Sequence, residues 1–209
     1  MYVWWWIVMA AEQVRNIAPF INDEFTVVSK WWTERVNPVT GETEIHRGLD
    51  ITTGHNDQVY SMLTGKILQK GYTSTAGNYV IIVDDTLGSS TYGYATRYLH
   101  LRDSVVPPVN TRIQVGQQIG VEGSTGQSTG IHLHVEMQDV SRFNWQWHSS
   151  YTKSYYLDPT EFMGIDNVVG THWIYDGTPV PPVPPTPTYS DRKRFKWVLY
   201  ANKLRNVKR

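Results

Sequence analysis

Ile131-His132-Leu133-His134-Val135-Glu136 alternates apolar and polar side chains with a period of two, the pattern of a β-strand that buries one face. On such a strand both histidines project to the same side, toward a cleft, while Leu133 and Val135 turn into a core. Outward from it lie further strand-like runs, Thr96-Arg-Tyr-Leu-His-Leu101 and Tyr79-Val-Ile-Ile-Val83, rich in β-branched and aromatic residues. Turn signals such as Thr40-Gly41, Leu87-Gly88-Ser89 and Gly123-Ser-Thr-Gly126 recur at short intervals between residues 23 and 140. No long segment of helical period interrupts them, so the spacing predicts a mainly β fold of antiparallel hairpins rather than βαβ units.

Composition narrows the chemistry. The 209 residues include no cysteine, which excludes a disulfide framework and a thiolate metal site, so any metal must be held by His, Asp or Glu. Nine Trp and thirteen Tyr exceed what a core of this size needs, and some of these rings are expected in a binding groove. Formal net charge is zero, yet residues 191–209 carry eight Lys or Arg against one Asp. The basic tail therefore suits an anionic partner such as nucleic acid, anionic lipid or a wall polymer, and a plain solvated end has the same composition.

A catalytic zinc takes three protein ligands and keeps one position for water. Among seven histidines, His132 and His134 share a strand face. His46 and Asp50 are four apart, but Gly48 and the strand-like flanks argue against a helix, so the pair should curl around an ion through a tight bend. His100 ends the run Arg97-Tyr-Leu-His, with Tyr98 expected on its face, and can reach the same cleft. His55 sits in a polar turn, Thr-Gly-His-Asn-Asp, and reads as a solvated loop residue; His148 and His172 carry little argument for function. Gly123-Ser-Thr-Gly-Gln-Ser-Thr-Gly130 lacks the Lys-Ser/Thr ending of a phosphate loop and leads into a strand, so it reads as a turn that delivers His132 and His134.

Five blocks, Asn37-Pro-Val-Thr-Gly-Glu-Thr-Glu-Ile-His-Arg-Gly-Leu-Asp50, Gly77-Asn-Tyr-Val-Ile-Ile82, Tyr98-Leu-His-Leu101, Val115-Gly-Gln-Gln-Ile-Gly120 and Gly126-Gln-Ser-Thr-Gly-Ile-His-Leu-His-Val-Glu136, resemble in wording and order the lysostaphin/LytM-type family of zinc peptidoglycan endopeptidases. The resemblance runs from about residue 23 to Pro159. It implies an antiparallel β domain with a narrow groove, one Zn2+ bound by His46, Asp50 and His134, and catalytic roles for the non-ligand histidines His132 and His100. It also implies peptidoglycan as substrate and action at the bacterial cell wall, outside the cell. Relatives often carry a tyrosine shortly before the first ligand that stabilises the oxyanion; residues 36–45 contain none, and that role stays unassigned. The competing expectation is a catalytically silent peptidoglycan-binding or tail-structural module using the same groove.

Domain organisation follows from composition. Residues 1–22 read as an N-terminal segment with a short amphipathic helix from Trp5 to Asn16, too short in its apolar part to span a bilayer and poor as a secretory signal. Residues 23–165 form the endopeptidase domain, 166–190 a Pro-rich linker around Pro179–Pro187, and 191–209 the basic tail. A Pro-rich spacer before a basic tail suits a module tethered to a phage tail, a prophage particle or an upstream lysin domain. Within residues 141–157 a loop rich in aromatics includes Trp145 and Trp147, the expected substrate contacts. No small organic cofactor is expected.

Overall fold

A computed structural model describes residues 18–21, 23–104 and 106–174. The predicted N-terminal helix, most of the Pro-rich linker and the basic tail lie outside the described residues.

Short β-strands follow one another along the chain: β1 (Glu24–Ser29), β2 (Thr33–Val36), β3 (Thr43–His46), β4 (Leu49–Thr52), β5 (Gln58–Tyr60), β6 (Gly65–Thr73), β7 (Gly77–Val83), β8 (Tyr94–Leu101), β9 (Asp103–Ser104), β10 (Arg112–Ile113), β11 (Gln118–Val121), β12 (Leu133–Asp139), β13 (Tyr156–Leu157) and β14 (His172–Ile174). One α-helix among the described residues, α1 (Pro159–Met163), starts where the Asp158 side chain accepts from the Thr160 N–H. Among the described residues the main sheet has nine strands in the order β10-β6-β7-β8-β12-β4-β1-β14, with β13 beside β12, and its pairings are antiparallel. A three-stranded sheet, β5-β11-β9, and the β2-β3 hairpin complete it. The expected mainly β, antiparallel domain is what folds.

Both faces of the main sheet are covered, which explains why β7 is apolar at successive positions. Val80 and Ile82 join Leu49, Ile51, Leu133, Val135 and Met137 in one core, which also takes Val59 of β5 and Ile119 of β11. Tyr79, Ile81 and Val83 join Ala95, Leu99 and Val140 on the opposite face, under Trp145 and Trp147. The aromatic stretch 141–157 is thus a cover over the second face. It is ordered by 3-10 turns at Val140–Phe143 and Lys153–Tyr155 and by β13. Gln138 of β12 ties it down, donating to the His148 carbonyl at 2.7 Å and accepting from its N–H at 3.0 Å.

The folded body is wider than the 23–165 stretch. Ala18 and Phe20 are buried in the first core, and His172–Ile174 adds a strand to β1. Both ends are drawn in because β1 otherwise leaves its outer edge unpaired and its inward residues, Phe25 and Val27, short of partners.

Candidate metal centre

Three strand ends deliver the central cluster. His134 on β12 stands directly across from Asp50 on β4, and alternation sends Leu133, Val135, Leu49 and Ile51 into the core beneath them. His46, the last residue of β3, enters from the hairpin side, three residues before β4 begins. The bend between His46 and Asp50 needs a glycine at 48: an added Cβ would lie 2.2 Å from Nε2 of His134. As the spacing predicts, the pair is joined by a bend between strands and not by a helix.

His46 Nε2, Asp50 Oδ1 and His134 Nδ1 converge. The distances are 3.1 Å from His46 to Asp50, 2.7 Å from His134 to Asp50 and 3.0 Å between the two nitrogens, and all three residues are buried. The outer nitrogens are occupied elsewhere. His46 Nδ1 lies 2.7 Å from the Lys30 carbonyl, to which it must donate. His134 Nε2 lies 3.4 Å from the Glu136 carboxylate. These partners fix the tautomers, so each ring turns a nitrogen lone pair inward beside the carboxylate. Such a set requires one positive centre among its three atoms. Two imidazole nitrogens and one carboxylate oxygen suit a divalent ion such as zinc, and a fully protein-bound three-ligand set leaves room for water.

Without an ion, a proton fills the role. Burial disfavours the charged form of His134, but Asp50 and Glu136 more than offset this and raise it to about 9. Burial alone would raise the Asp50 carboxyl; the imidazoles of His134 and His46 hold it well below the usual carboxylate range. A metal bound by these three atoms would compete with that proton for the same lone pair.

His100 and His132 flank this cluster, their rings 4.8 Å apart and His100 5.9 Å from His134. His132 precedes β12, bridged to Gly123, with Nδ1 donating to the Gly130 carbonyl at 2.9 Å. His100 Nδ1 donates to the Thr125 carbonyl at 2.9 Å. The turn read as a delivery loop for His132 and His134 thus orients His100 as well, and in both rings Nε2 is left as the acceptor. Burial, then the neighbouring His134 and His132, lowers His100 to about 4, so it is neutral at neutral pH. The expectation that His100 shares the face of Tyr98 is corrected. His100 has φ 62° at an irregular point of the β7-β8 ladder, and Leu101, not His100, returns to the core of Tyr98. That left-handed residue breaks the alternation and turns the imidazole into the cleft.

A sequence profile described as Peptidase family M23 matches residues 44–146, which hold all five of these side chains. Residues 44–146 are a peptidase M23 domain. Among its relatives, the peptidoglycan DD-endopeptidase ShyB of Vibrio cholerae is 36% identical over 53% of this chain and 24% of its own length. An uncharacterized metalloprotease of Buchnera aphidicola is 32% identical over 57% of this chain and 30% of its own. This chain therefore spans less than a third of either protein. A crystal structure of a zinc-containing peptidase from Vibrio cholerae superimposes with TM-score 0.53 and 29% identity, over 73% of this chain and 40% of that one.

Around the M23 cluster stand residues that the sequence reading did not single out. Glu136 is buried behind His134 with Arg97 at 3.2 Å and Arg47 at 3.9 Å; burial opposes its charge, but His134 and the two guanidinium groups hold its carboxyl at about 2. Arg35 lies 3.0 Å from Asp50 Oδ2. Glu136 ends the stretch that carries His132 and His134 and Arg35 stands two residues before Asn37, and a charged residue at an inward strand position is the signal the sequence offers for each. His55, His148 and His172 are exposed and outside the cluster. Trp145 and Trp147 are half-buried, edge-on to Tyr92 and Tyr156 respectively.

Proposed function

We propose that this protein is a zinc metalloendopeptidase that hydrolyses peptide bonds in the stems or cross-bridges of bacterial peptidoglycan, using one Zn2+ held by His46, Asp50 and His134. The observation that carries the reading is the convergence of three buried ligand atoms within 4.8 Å of one another beside two further imidazoles. The names of its relatives support the substrate class.

When bound, zinc lowers the pKa of a water at its remaining position from ~15.7 toward ~7 and polarises the scissile carbonyl. The chain's own residues then divide the proton work. His132 has its Nδ1–H committed to Gly130, so Nε2 accepts the water's proton and afterwards passes it to the departing amine. His100, held neutral by burial and pinned by Thr125, is too weak a base to share that step; its Nε2 orients the attacking water. Bond cleavage adds the water's oxygen to the carbonyl carbon and its proton to the amine nitrogen, with no other reactant. Action at the cell wall, from a bacterial or a phage-borne chain, is part of this proposal.

Purified protein should hold stoichiometric zinc and release fragments from isolated cell walls, which mass spectrometry assigns to a particular bond. His134→Ala should lose both zinc and activity. His132→Ala should keep zinc while kcat falls ~10²–10⁴-fold. A wild-type protein without stoichiometric zinc, or a His134→Ala variant that digests walls like its parent, would overturn the proposal in favour of a binding module.

A further inference from the structure

The two oxygens of Asp50 have different surroundings. Oδ1 faces the imidazoles, 2.7 Å from His134 Nδ1, 3.1 Å from His46 Nε2 and 3.8 Å from His132 Nε2. Oδ2 accepts from Arg35 Nη1 at 3.0 Å. The guanidinium is itself fixed at two more points. Nη1 donates to Ser29 Oγ at 2.8 Å, and Nε donates to Glu44 Oε1 at 3.0 Å. Glu44 Oε2 in turn accepts from Asn37 Nδ2 at 2.9 Å. Strand pairing sets this up, because Arg35 on β2 lies directly across from Glu44 on β3. Arg35 lies outside the matched residues 44–146.

A carboxylate can bind a metal through one oxygen or chelate it through both. Chelation by Asp50 would add a ligand to a set of three and take the position that water needs. A cation bonded to Oδ2 at normal hydrogen-bond length opposes this, since the guanidinium engages one lone pair of that oxygen and the carboxylate cannot swing toward an ion without lengthening the bond. The same charge draws electron density from the carboxylate, which weakens its donation to the ion and leaves the ion the stronger Lewis acid.

We propose that Arg35 is a positioning residue that holds Asp50 to a single ligating oxygen, Oδ1, and so keeps one coordination position open for water. This rests on the reading of His46, Asp50 and His134 as metal ligands.

Cobalt(II) in place of zinc reports coordination directly, because its visible absorption is intense for four ligands and weakens as ligands are added. Arg35→Met should bind cobalt at least as tightly as the parent in chelator competition, while its visible band falls about twofold or more. With zinc, its kcat should fall at least ~10-fold and KM stay within about twofold. Arg35→Lys keeps a cationic donor for Oδ2 and gives up Ser29 and Glu44; it should keep the parent's cobalt spectrum. Arg35→Leu takes the place of the methionine variant if that one does not fold. An unchanged spectrum in Arg35→Met, a loss of affinity with an unchanged spectrum, or a lysine variant whose band weakens like that of methionine would each overturn the proposal. A parent protein that binds no cobalt would overturn the metal reading, and this proposal with it.

Discussion

A methyl group at position 48 would stand 2.2, 2.6 and 2.8 Å from three atoms of the His134 ring, distances that no side chain tolerates. The ring cannot yield cheaply, since it is held by Glu136 at one nitrogen and by the Asp50 cluster at the other. Gly48→Ala should therefore tilt His134 out of line and lower zinc affinity ~10–100-fold, the range seen when a ligand loses its support, with the fold retained; chelator competition and a thermal melt on the same samples measure both. Wild-type affinity in that variant would mean that the ring is free to move. The histidines and Asp50 are legible as candidates from residue type and spacing, and the family resemblance, not the spacing, singles out His46, Asp50 and His134 among them. Gly48 was read only as a mark against a helix, because its real constraint is a ring from a distant strand that local pattern cannot reveal. Arg35 was silent for the same reason: its meaning lies in the β2-β3 register and in which oxygen of Asp50 it meets.

At the scale of elements, alternation predicts β12 correctly because that strand is regular where it carries His134 opposite Asp50. It failed at the end of β8, where φ 62° at His100 inverts the faces, and no feature of Tyr98-Leu-His-Leu101 signals the reversal. The aromatic stretch 141–157 was legible as unusual but not as a cover, because nothing in the sequence says that the second face of the sheet needs one. Trp147 packs on the cluster of Tyr79, Ile81 and Leu99, 6.4 Å from the Tyr156 ring and 5.8 Å from the Arg97 guanidinium carbon. Trp147→Ala should destabilise the domain by about 2–4 kcal/mol, visible as a lower melting temperature, from lost apolar burial and the cavity left. A variant that melts like its parent but shows a raised KM on cell walls would make Trp147 a groove residue instead.

Over the whole molecule, the site ties folding stability to pH and metal, because the buried cluster must carry a positive centre to remain assembled. In the metal-free protein His134 is raised from 6.5 to about 9. Its contribution to stability is fully present below pH 6.5 and is lost as pH rises from there through about 9, since the unfolded chain gives up the proton before the folded state does. His100 runs the other way. Lowered from 6.5 to about 4, it leaves stability intact above pH 6.5 and removes it as pH falls from there through about 4, since the unfolded chain takes up the proton first. Between them these two groups give the metal-free protein a stability maximum near pH 6.5. On the proposed reading zinc would replace the proton on His134, so its binding would strengthen as that proton becomes easier to remove. The difference in melting temperature between zinc-loaded and chelator-treated protein should therefore widen steadily from pH 6.5 to 9. Thermal melts of both forms across that range measure it, and a constant difference would show that metal and proton do not share the His134 nitrogen.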